Sequence, residues 1–158
     1  MFNELTDLNH IRTLYSKSAD DSQCADMLNE MLRNVDLSEY PLLMAYYAAS
    51  EAIKAKYIWN IFSKIQYLKQ SASGFEKAVS LSPENIEIRF LRFTVQYHIP
   101  FFLGFSVNLE EDKQVICDHI AKSDTDTEMK KEIADFLIKS QKCDRTELEI
   151  LKIYAKKL

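Results

Sequence analysis

The chain has 158 residues, 47% of them hydrophobic and 28% charged, so it is long enough and apolar enough to fold rather than remain disordered. Its 20 basic and 24 acidic residues leave a net charge of −4 without a long run of either sign, which argues against nucleic acid as a partner. Two glycines and three prolines are too few for the turns of a β-rich chain, so the composition predicts a single all-α domain over residues 1–158.

Several features bear on the location of the protein. Residues 1–4 contain no basic segment that leads into an apolar run, so we expect no signal peptide. Cys24, Cys117 and Cys143 are odd in number and far apart, which favours reduced thiols in the cytoplasm. Residues 99–107 form the longest weakly polar stretch, less than half of the ~20 residues that a spanning helix needs, so we expect no membrane anchor.

Two amphipathic helices are expected before residue 36, because apolar residues recur there at helical spacing. They are Leu5, Leu8, Ile11 and Tyr15 in the first helix, and Cys24, Leu28, Met31 and Val35 in the second. A third helix is expected to use Ser38 as its N-cap and to carry Pro41 in its first turn. The alanines that would let another helix approach it closely are Ala45, Ala48, Ala49 and Ala52.

A break is predicted at residues 58–60. An unbroken helix from Pro41 to Leu81 would be far longer than the ~11-residue mean of globular proteins. The helix after the break has an apolar stripe that consists of Phe62, Ile65, Leu68, Ala72, Phe75 and Val79.

The triplet at residues 82–84, Ser-Pro-Glu, indicates the start of the next helix. The apolar side chains of this helix fall on two opposite faces, which predicts a position in the middle of the structure. One face has Ile88, Leu91, Val95 and Ile99, and the other has Ile86, Phe90, Phe93 and Tyr97. Pro100 should end or kink the helix, and Gly104 should assist the bend that follows.

Three further helices carry the signature of a capping box, an N-cap residue followed three positions later by an acid. The pairs are Asn108 and Glu111, Thr125 and Glu128, and Asp144 and Glu147. The total is about eight helices, which we expect to pack as antiparallel hairpins joined by short loops.

The middle of the chain resembles a tetratricopeptide repeat. Residues 75–78, Phe-Glu-Lys-Ala, and the later Pro83 are similar to the second half of that motif. The first half departs from it, since Ser71 occupies the usual small position, Trp59 falls on the usual glycine, and no second copy follows at the 34-residue period. The resemblance implies one divergent repeat-like hairpin rather than an array.

A second resemblance covers about Ala48 to Lys113. Its motifs are Glu87-Ile88-Arg89-Phe90-Leu91-Arg92, Gln96, Pro100, Phe102-Leu103-Gly104 and Asp112-Lys113. This pattern is similar to an uncharacterised bacterial family of small α-helical proteins. The resemblance implies a fold of packed helical hairpins and implies no activity.

The best candidate site is the line of Arg89, Arg92 and Gln96 on one edge of the central helix. Guanidinium groups suit a carboxylate or phosphate, and the amide of Gln96 could add a contact, so this edge could bind an anion. Alternatively, both arginines pair with internal acids such as Glu87 or Asp112 and stabilise helix packing. We favour the structural interpretation, with Asp112 as the partner of Arg92.

Two neighbouring features receive ordinary structural interpretations. Lys113 is expected to be a solvated surface lysine. Phe101, Phe102 and Phe105 could line a ligand pocket or a partner groove, but aromatic residues beside a kink more often belong to the core, which is where we expect them.

No catalytic residue, metal site or cofactor is predicted. Cys117 and His119 would project from nearly opposite sides of a helix and could not share a metal ion. The chain has no glycine-rich phosphate loop, no nucleophile elbow and no paired Cys motif.

Two functional hypotheses follow. The first is a non-enzymatic interaction or scaffold module that binds a protein or peptide and could form homo-oligomers. The second is a small-molecule or anion-binding protein, conceivably an enzyme, with an arginine-lined pocket on the central helix. We favour the first, and therefore expect that the chain is not an enzyme.

Overall fold

A computed structural model describes residues 4–155 of the chain, with side chains from Leu8 onward. Residues 1–3, used in the prediction that a signal peptide is absent, lie outside the described part. The side chain of Leu5, which belongs to the predicted apolar stripe of the first helix, also lies outside it. The described residues form eight α-helices, one short 3-10 helix and no strand, which confirms the all-α prediction. They fall into two compact units, Met1–Leu81 and Ser82–Leu158, while the single domain stays a prediction.

The first unit contains four helices. They are α1 (Glu4–Ser18), α2 (Ser22–Arg33), α3 (Pro41–Lys56) and α4 (Ile61–Leu81). Helices α1, α2 and α3 pack against one another, and α4 packs along α3. The two amphipathic helices predicted before residue 36 are confirmed, since Ile11 of α1 and Leu28 and Leu32 of α2 are fully buried.

The expected break between α3 and α4 is confirmed. Helix α3 ends at Lys56 and α4 begins at Ile61. The side-chain oxygen of Asn60 accepts hydrogen bonds from the N–H groups of Phe62 and Ser63, at 2.9 and 3.1 Å. Asn60 therefore caps α4 in the absence of a nearby glycine or proline.

The expected N-cap of α3 is wrong. Pro41 is the first residue of the helix, as predicted, but Tyr40 is the N-cap and makes no side-chain cap bond. Ser38 lies in the preceding turn, where its N–H donates to the side chain of Asp36 at 3.0 Å. Ser38 lies two residues before the N-cap position, so its side chain does not occupy the place from which a cap residue binds the first turn.

Helices α3 and α4 approach each other closely, as the alanines of α3 predicted. Ala45, Ala48 and Ala49 are fully buried. A methyl group on Gly74 of α4 would lie only 2.9 Å from the Cβ atom of Ala48. The hairpin therefore depends on small side chains at its contact.

The second unit contains the other elements. They are α5 (Ile86–His98), a 3-10 helix (Phe101–Leu103), α6 (Leu109–His119), α7 (Thr127–Ser140) and α8 (Arg145–Leu151). Helix α5 packs against α6 and α7, and α8 packs against α6 and α7. The core between them includes Phe90, Phe93, Ile116, Ile133 and Leu137.

Helix α5 begins later than predicted. Residues 82–84 form a turn, and the helix starts at Ile86 after the N-cap Asn85. The side-chain oxygen of Asn85 accepts hydrogen bonds from the second and third N–H groups of the helix, at 3.0 and 3.1 Å. An Asn carboxamide next to the helix caps it better than a serine three residues earlier.

Helix α5 is the most extensively buried helix of the second unit. Every residue from Ile86 to Gln96 is buried, so both predicted apolar faces are covered except at the end of the helix, where Tyr97 is 37% exposed and Ile99 is partly buried. Pro100 follows the helix end, also as predicted, and Gly104 adopts a left-handed φ of 75°. Glycine reaches that conformation without steric cost, which allows the chain to turn back toward α6.

The predicted capping box is confirmed at α8 and is wrong at α7. Asp144 and Glu147 form the complete reciprocal box at the start of α8. At α7, however, the cap is Asp126, whose side chain accepts from the N–H of Met129 at 3.0 Å, while Thr125 contacts Ser123 instead. Sequence spacing alone placed this cap one residue too early.

Candidate functional site

Both candidate arginines lie on α5, three positions apart and therefore on one face of the helix. Arg89 and Arg92 are each about 95% buried, with 5% and 4% of their surfaces exposed. They face the first turn of α6, which carries Glu111 and Asp112. The chain thus places two cations against two acids across the α5–α6 contact.

Arg92 and Asp112 form a bidentate pair. Nε of Arg92 donates to Oδ2 of Asp112 at 2.8 Å, and Nη2 donates to Oδ1 at 2.6 Å. The side chain of Asp112 is fully buried. This geometry confirms the expected partner, and parallel charge-assisted bonds of this kind restrict orientation as well as distance.

Arg89 joins the same cluster from the other side. Its Nη1 donates to Oδ1 of Asp112 at 3.0 Å and to Oε1 of Glu111 at 2.6 Å. Its Nε donates to the carbonyl of Pro83 at 2.8 Å. The turn before α5 therefore has a structural role, because it presents this carbonyl to the arginine.

Gln96 does not hydrogen bond to the two arginines. Its side chain pairs with Asn108, donating to the Asn108 side chain at 2.9 Å and accepting from the Asn108 N–H at 2.8 Å. These bonds replace the capping box predicted for Asn108 and Glu111, so Glu111 is free to bind Arg89. The Asn108 side chain also donates to Glu111 at 3.2 Å, which links the Gln96 pair to the ionic cluster.

Burial and hydrogen bonding shift the pKa values of the cluster in opposite directions. Burial raises the pKa of Asp112, against the downward effect of the hydrogen bonds from Arg92 and Arg89. The hydrogen bond from Arg89 lowers the pKa of the half-exposed Glu111. Burial alone would lower the pKa of Arg89, but its bonds to Glu111 and Asp112 raise it overall. Two cations facing two carboxylates give a neutral cluster.

Lys113 is not a surface residue, contrary to expectation. Only 4% of it is exposed. Its Nζ contacts Glu147 at 3.0 Å, Glu110 at 2.9 Å and the carbonyl of Lys142 at 2.8 Å. Since Glu147 caps α8, Lys113 ties the start of α6 to the start of α8, an arrangement that helix periodicity cannot predict.

The expected core position of the aromatic segment after α5 is also wrong. Phe101 and Phe102 are both 85% exposed, and Phe105 is partly buried. The segment is a single 3-10 turn, and Phe90 and Phe93 of α5 already fill the core of this unit. The two exposed rings are therefore a surface feature.

A further surface feature was missed by the sequence analysis. Trp59 is fully exposed, Phe62 is 82% exposed and Ile61 is 51% exposed. We call these three residues the apolar tip, since they are close in sequence, with Trp59 in the turn between α3 and α4 and Ile61 and Phe62 at the start of α4. The available signal was the pair of large aromatic residues Trp59 and Phe62, which lie within and just after the helix break predicted at residues 58–60.

A second buried polar cluster was missed as well. Asn29 of α2 donates to Ser50 at 2.9 Å and to Glu51 at 2.7 Å on α3. Its side-chain oxygen accepts from Arg33 at 3.0 Å. Glu51 is the single acid within the alanine-rich α3, which could have indicated an internal partner. The cluster joins α2 to α3.

The described residues contain no candidate for a metal site or for a membrane-spanning helix. From Glu4 to Ala155, no group of three or more His, Cys, Asp or Glu side chains is placed to bind a metal ion. None of the helices in that range is both long enough and apolar enough to cross a membrane.

Comparison with known proteins finds no matching family, no similar curated protein and no similar solved structure. The likeness to a tetratricopeptide hairpin and to a bacterial family therefore stays a prediction.

Proposed function

We propose that this chain is a non-enzymatic interaction module that binds a protein partner through the apolar tip. The observation that carries the proposal is the exposure of Trp59 and Phe62 at the end of a well-packed hairpin. Trp and other aromatic side chains are enriched among residues that dominate binding energy at protein interfaces.

The local structure supports this use of the tip. Asn60 caps α4 and holds the first turn in a defined conformation. The close contact of Gly74 with Ala48 keeps α3 and α4 together below the tip. An ordered backbone beneath the tip loses little conformational entropy on binding, which favours affinity.

The arginine cluster supports the alternative less well. An anion at Arg89 or Arg92 would have to displace Glu111 or Asp112, which already bind both guanidinium groups. The cluster has the geometry of an internal brace between α5 and α6. The alternative therefore requires a rearrangement that the proposal does not.

The proposal also includes the cytoplasmic location and the family resemblance that the sequence predicts. The three free thiols support a cytoplasmic location, and the α3–α4 hairpin with its small-residue contact is compatible with a divergent tetratricopeptide-like hairpin in a bacterial family.

The test is quantitative capture of partners from source cells by the wild type and by a Trp59→Ala, Phe62→Ala double variant. Each captured protein is then purified and its affinity measured directly. We expect the double variant to lose about 30-fold or more in affinity, since truncation of one central aromatic residue commonly costs about 2 kcal/mol.

The matched control is a Met27→Ala, Ile153→Ala double variant, which removes exposed apolar side chains elsewhere and should bind normally. Equal binding by the tip variant and this control would contradict the proposal. Capture of the chain by itself, confirmed by sedimentation, would make the tip a self-association surface instead.

A further inference from the structure

We infer that the partner presents an acidic segment with apolar side chains to the apolar tip, an inference that rests on the proposed function. The chain as a whole has a net charge of −4, yet lysine is the only charged residue type within residues 52–75. These positions form the last five residues of α3, the turn and most of α4. The tip therefore lies in a basic segment of an acidic protein.

The lysines of α4 lie beside the tip. Lys64 is three residues after Ile61, and Lys69 is seven residues after Phe62, so each lies on the same side of the helix as its tip residue. Lys69 is exposed and Lys64 is partly exposed. Both ammonium groups can therefore reach a molecule that covers the tip.

Lys56 adds a third positive charge. It precedes the turn, lies with its Nζ 5.7 Å from the ring centre of Tyr57 and donates to the carbonyl of Ala19. Lys54, in contrast, already has Asp26 as a partner at 3.5 Å.

These charges are not compensated within the described chain. Between residues 8 and 155, no carboxylate lies within 4.0 Å of Lys56, Lys64 or Lys69. An apolar centre with an uncompensated basic rim is complementary to an apolar centre with an acidic rim.

The same observations favour a protein over the other anionic macromolecules. Nucleic acid binding normally neutralises many phosphates, and three lysines release few counterions. An anionic membrane would attract each of the three lysines by about 1 kcal/mol, no less than an acidic side chain would, so anionic vesicles are the competing probe that the test must include. A protein segment, by contrast, can match the two aromatic rings and the adjacent charges in one contact.

The single tryptophan of the chain makes the test specific. Since Trp59 is the only one and lies fully in water, a blue shift of its emission reports that the tip has been covered. The probes are two synthetic peptides of about 18 residues with Leu and Phe at helical spacing, one with Glu and the other with Lys at all remaining positions. Anionic phospholipid vesicles and a single-stranded oligonucleotide are the competing probes.

The expected result is a saturable blue shift with the acidic peptide that weakens as salt rises from about 50 to 200 mM. A Lys64→Glu, Lys69→Glu variant should bind this peptide about tenfold more weakly at low salt, from two lost attractions of roughly 0.5–1 kcal/mol each. A Lys77→Glu, Lys152→Glu variant has the same change in net charge at exposed sites away from the tip and should bind normally.

Equal binding of the basic peptide, a shift with vesicles or oligonucleotide alone, or no shift with the acidic peptide would each overturn the inference. The partner capture described above, repeated with the Lys64→Glu, Lys69→Glu variant, separates the two proposals. Partners lost by the tip variant but kept by the charge variant would leave the proposed function standing and remove the acidic partner. Partners lost by both would support the two together.

Discussion

At the scale of single residues, the most consequential side chain is Asp112. It is fully buried and accepts hydrogen bonds from both Arg89 and Arg92. A buried charge pair adds little net stability when complete, but the removal of one member leaves the other charge uncompensated. Asp112 is therefore a position where a small chemical change has a large effect.

Asp112→Asn is expected to reduce the free energy of unfolding by about 3–5 kcal/mol, because two buried guanidinium groups lose their shared carboxylate. Glu111→Gln is the control, since the Glu111 side chain is 53% exposed and its pairing should contribute no more than about 1 kcal/mol. Urea unfolding followed by circular dichroism measures both values. Similar losses in the two variants would contradict a special role for Asp112.

Ser71→Ala is expected to stabilise the protein by about 1 kcal/mol. Within residues 8–155, the Ser71 hydroxyl is the buried side-chain group that lacks a hydrogen-bond partner, and removal of such a group relieves its desolvation cost. Ser73→Ala, at an exposed position of the same helix, controls for the helix propensity of alanine. The urea midpoints of the two variants give the comparison, and a gain no larger than that of Ser73→Ala would refute the expectation.

At the scale of elements, the α3–α4 hairpin shows how a pair of helices depends on one small-residue contact. Glycine inside a helix is normally less favourable than alanine by ~1 kcal/mol. At Gly74, however, an added methyl group would lie 2.9 Å from the Cβ atom of Ala48, which is attached directly to the backbone and cannot rotate away. The steric cost should exceed the gain in propensity.

Gly74→Ala is therefore expected to destabilise the protein by about 1–2 kcal/mol, the balance between overpacking and propensity. Ala48→Gly makes room for the new methyl group. The double variant should consequently be more stable than the sum of the two single effects, which a double-mutant cycle in urea measures directly. Additive effects would show that the two positions do not meet.

At the scale of the whole molecule, the pH dependence of stability should reveal a buried thiol. Burial raises the pKa of Cys117 to about 12. An unfolded chain ionises a thiol near pH ~8.5, so the unfolded state gains relative stability as the pH rises above that value. The contribution of Cys117 is complete below the unfolded pKa and is lost progressively toward the folded pKa.

The wild type should therefore lose up to about 1.4 kcal/mol per pH unit between about pH 9 and 11 relative to Cys117→Ala, which lacks the thiol. Urea unfolding of both proteins at a series of pH values measures the difference, and the comparison removes the common titration of lysines and tyrosines. Parallel pH profiles would mean that the thiol is ionised as easily in the folded protein as in the unfolded chain.

The sequence by itself determined the helical class, the break at residues 58–60, the end of α5 before Pro100 and the capping box of Asp144 and Glu147. These features depend on the spacing of apolar residues and on helix start and stop signals, and both can be read from residues that are close in sequence. The pairing of Arg92 with Asp112 was also predictable, because Asp112 lies near the start of the helix that follows the bend at Pro100 and Gly104, and a helix that folds back there brings its first turn to the arginine edge.

Only the tertiary structure decided which partner each polar side chain binds where several partners compete. Gln96 takes the backbone N–H of Asn108, so Glu111 leaves its expected capping box and binds Arg89. Lys113 is buried because Glu147 meets it from a helix 34 positions away. Hydrogen-bond partners distant in sequence compete with local ones on equal energetic terms, and only their positions in space determine which forms.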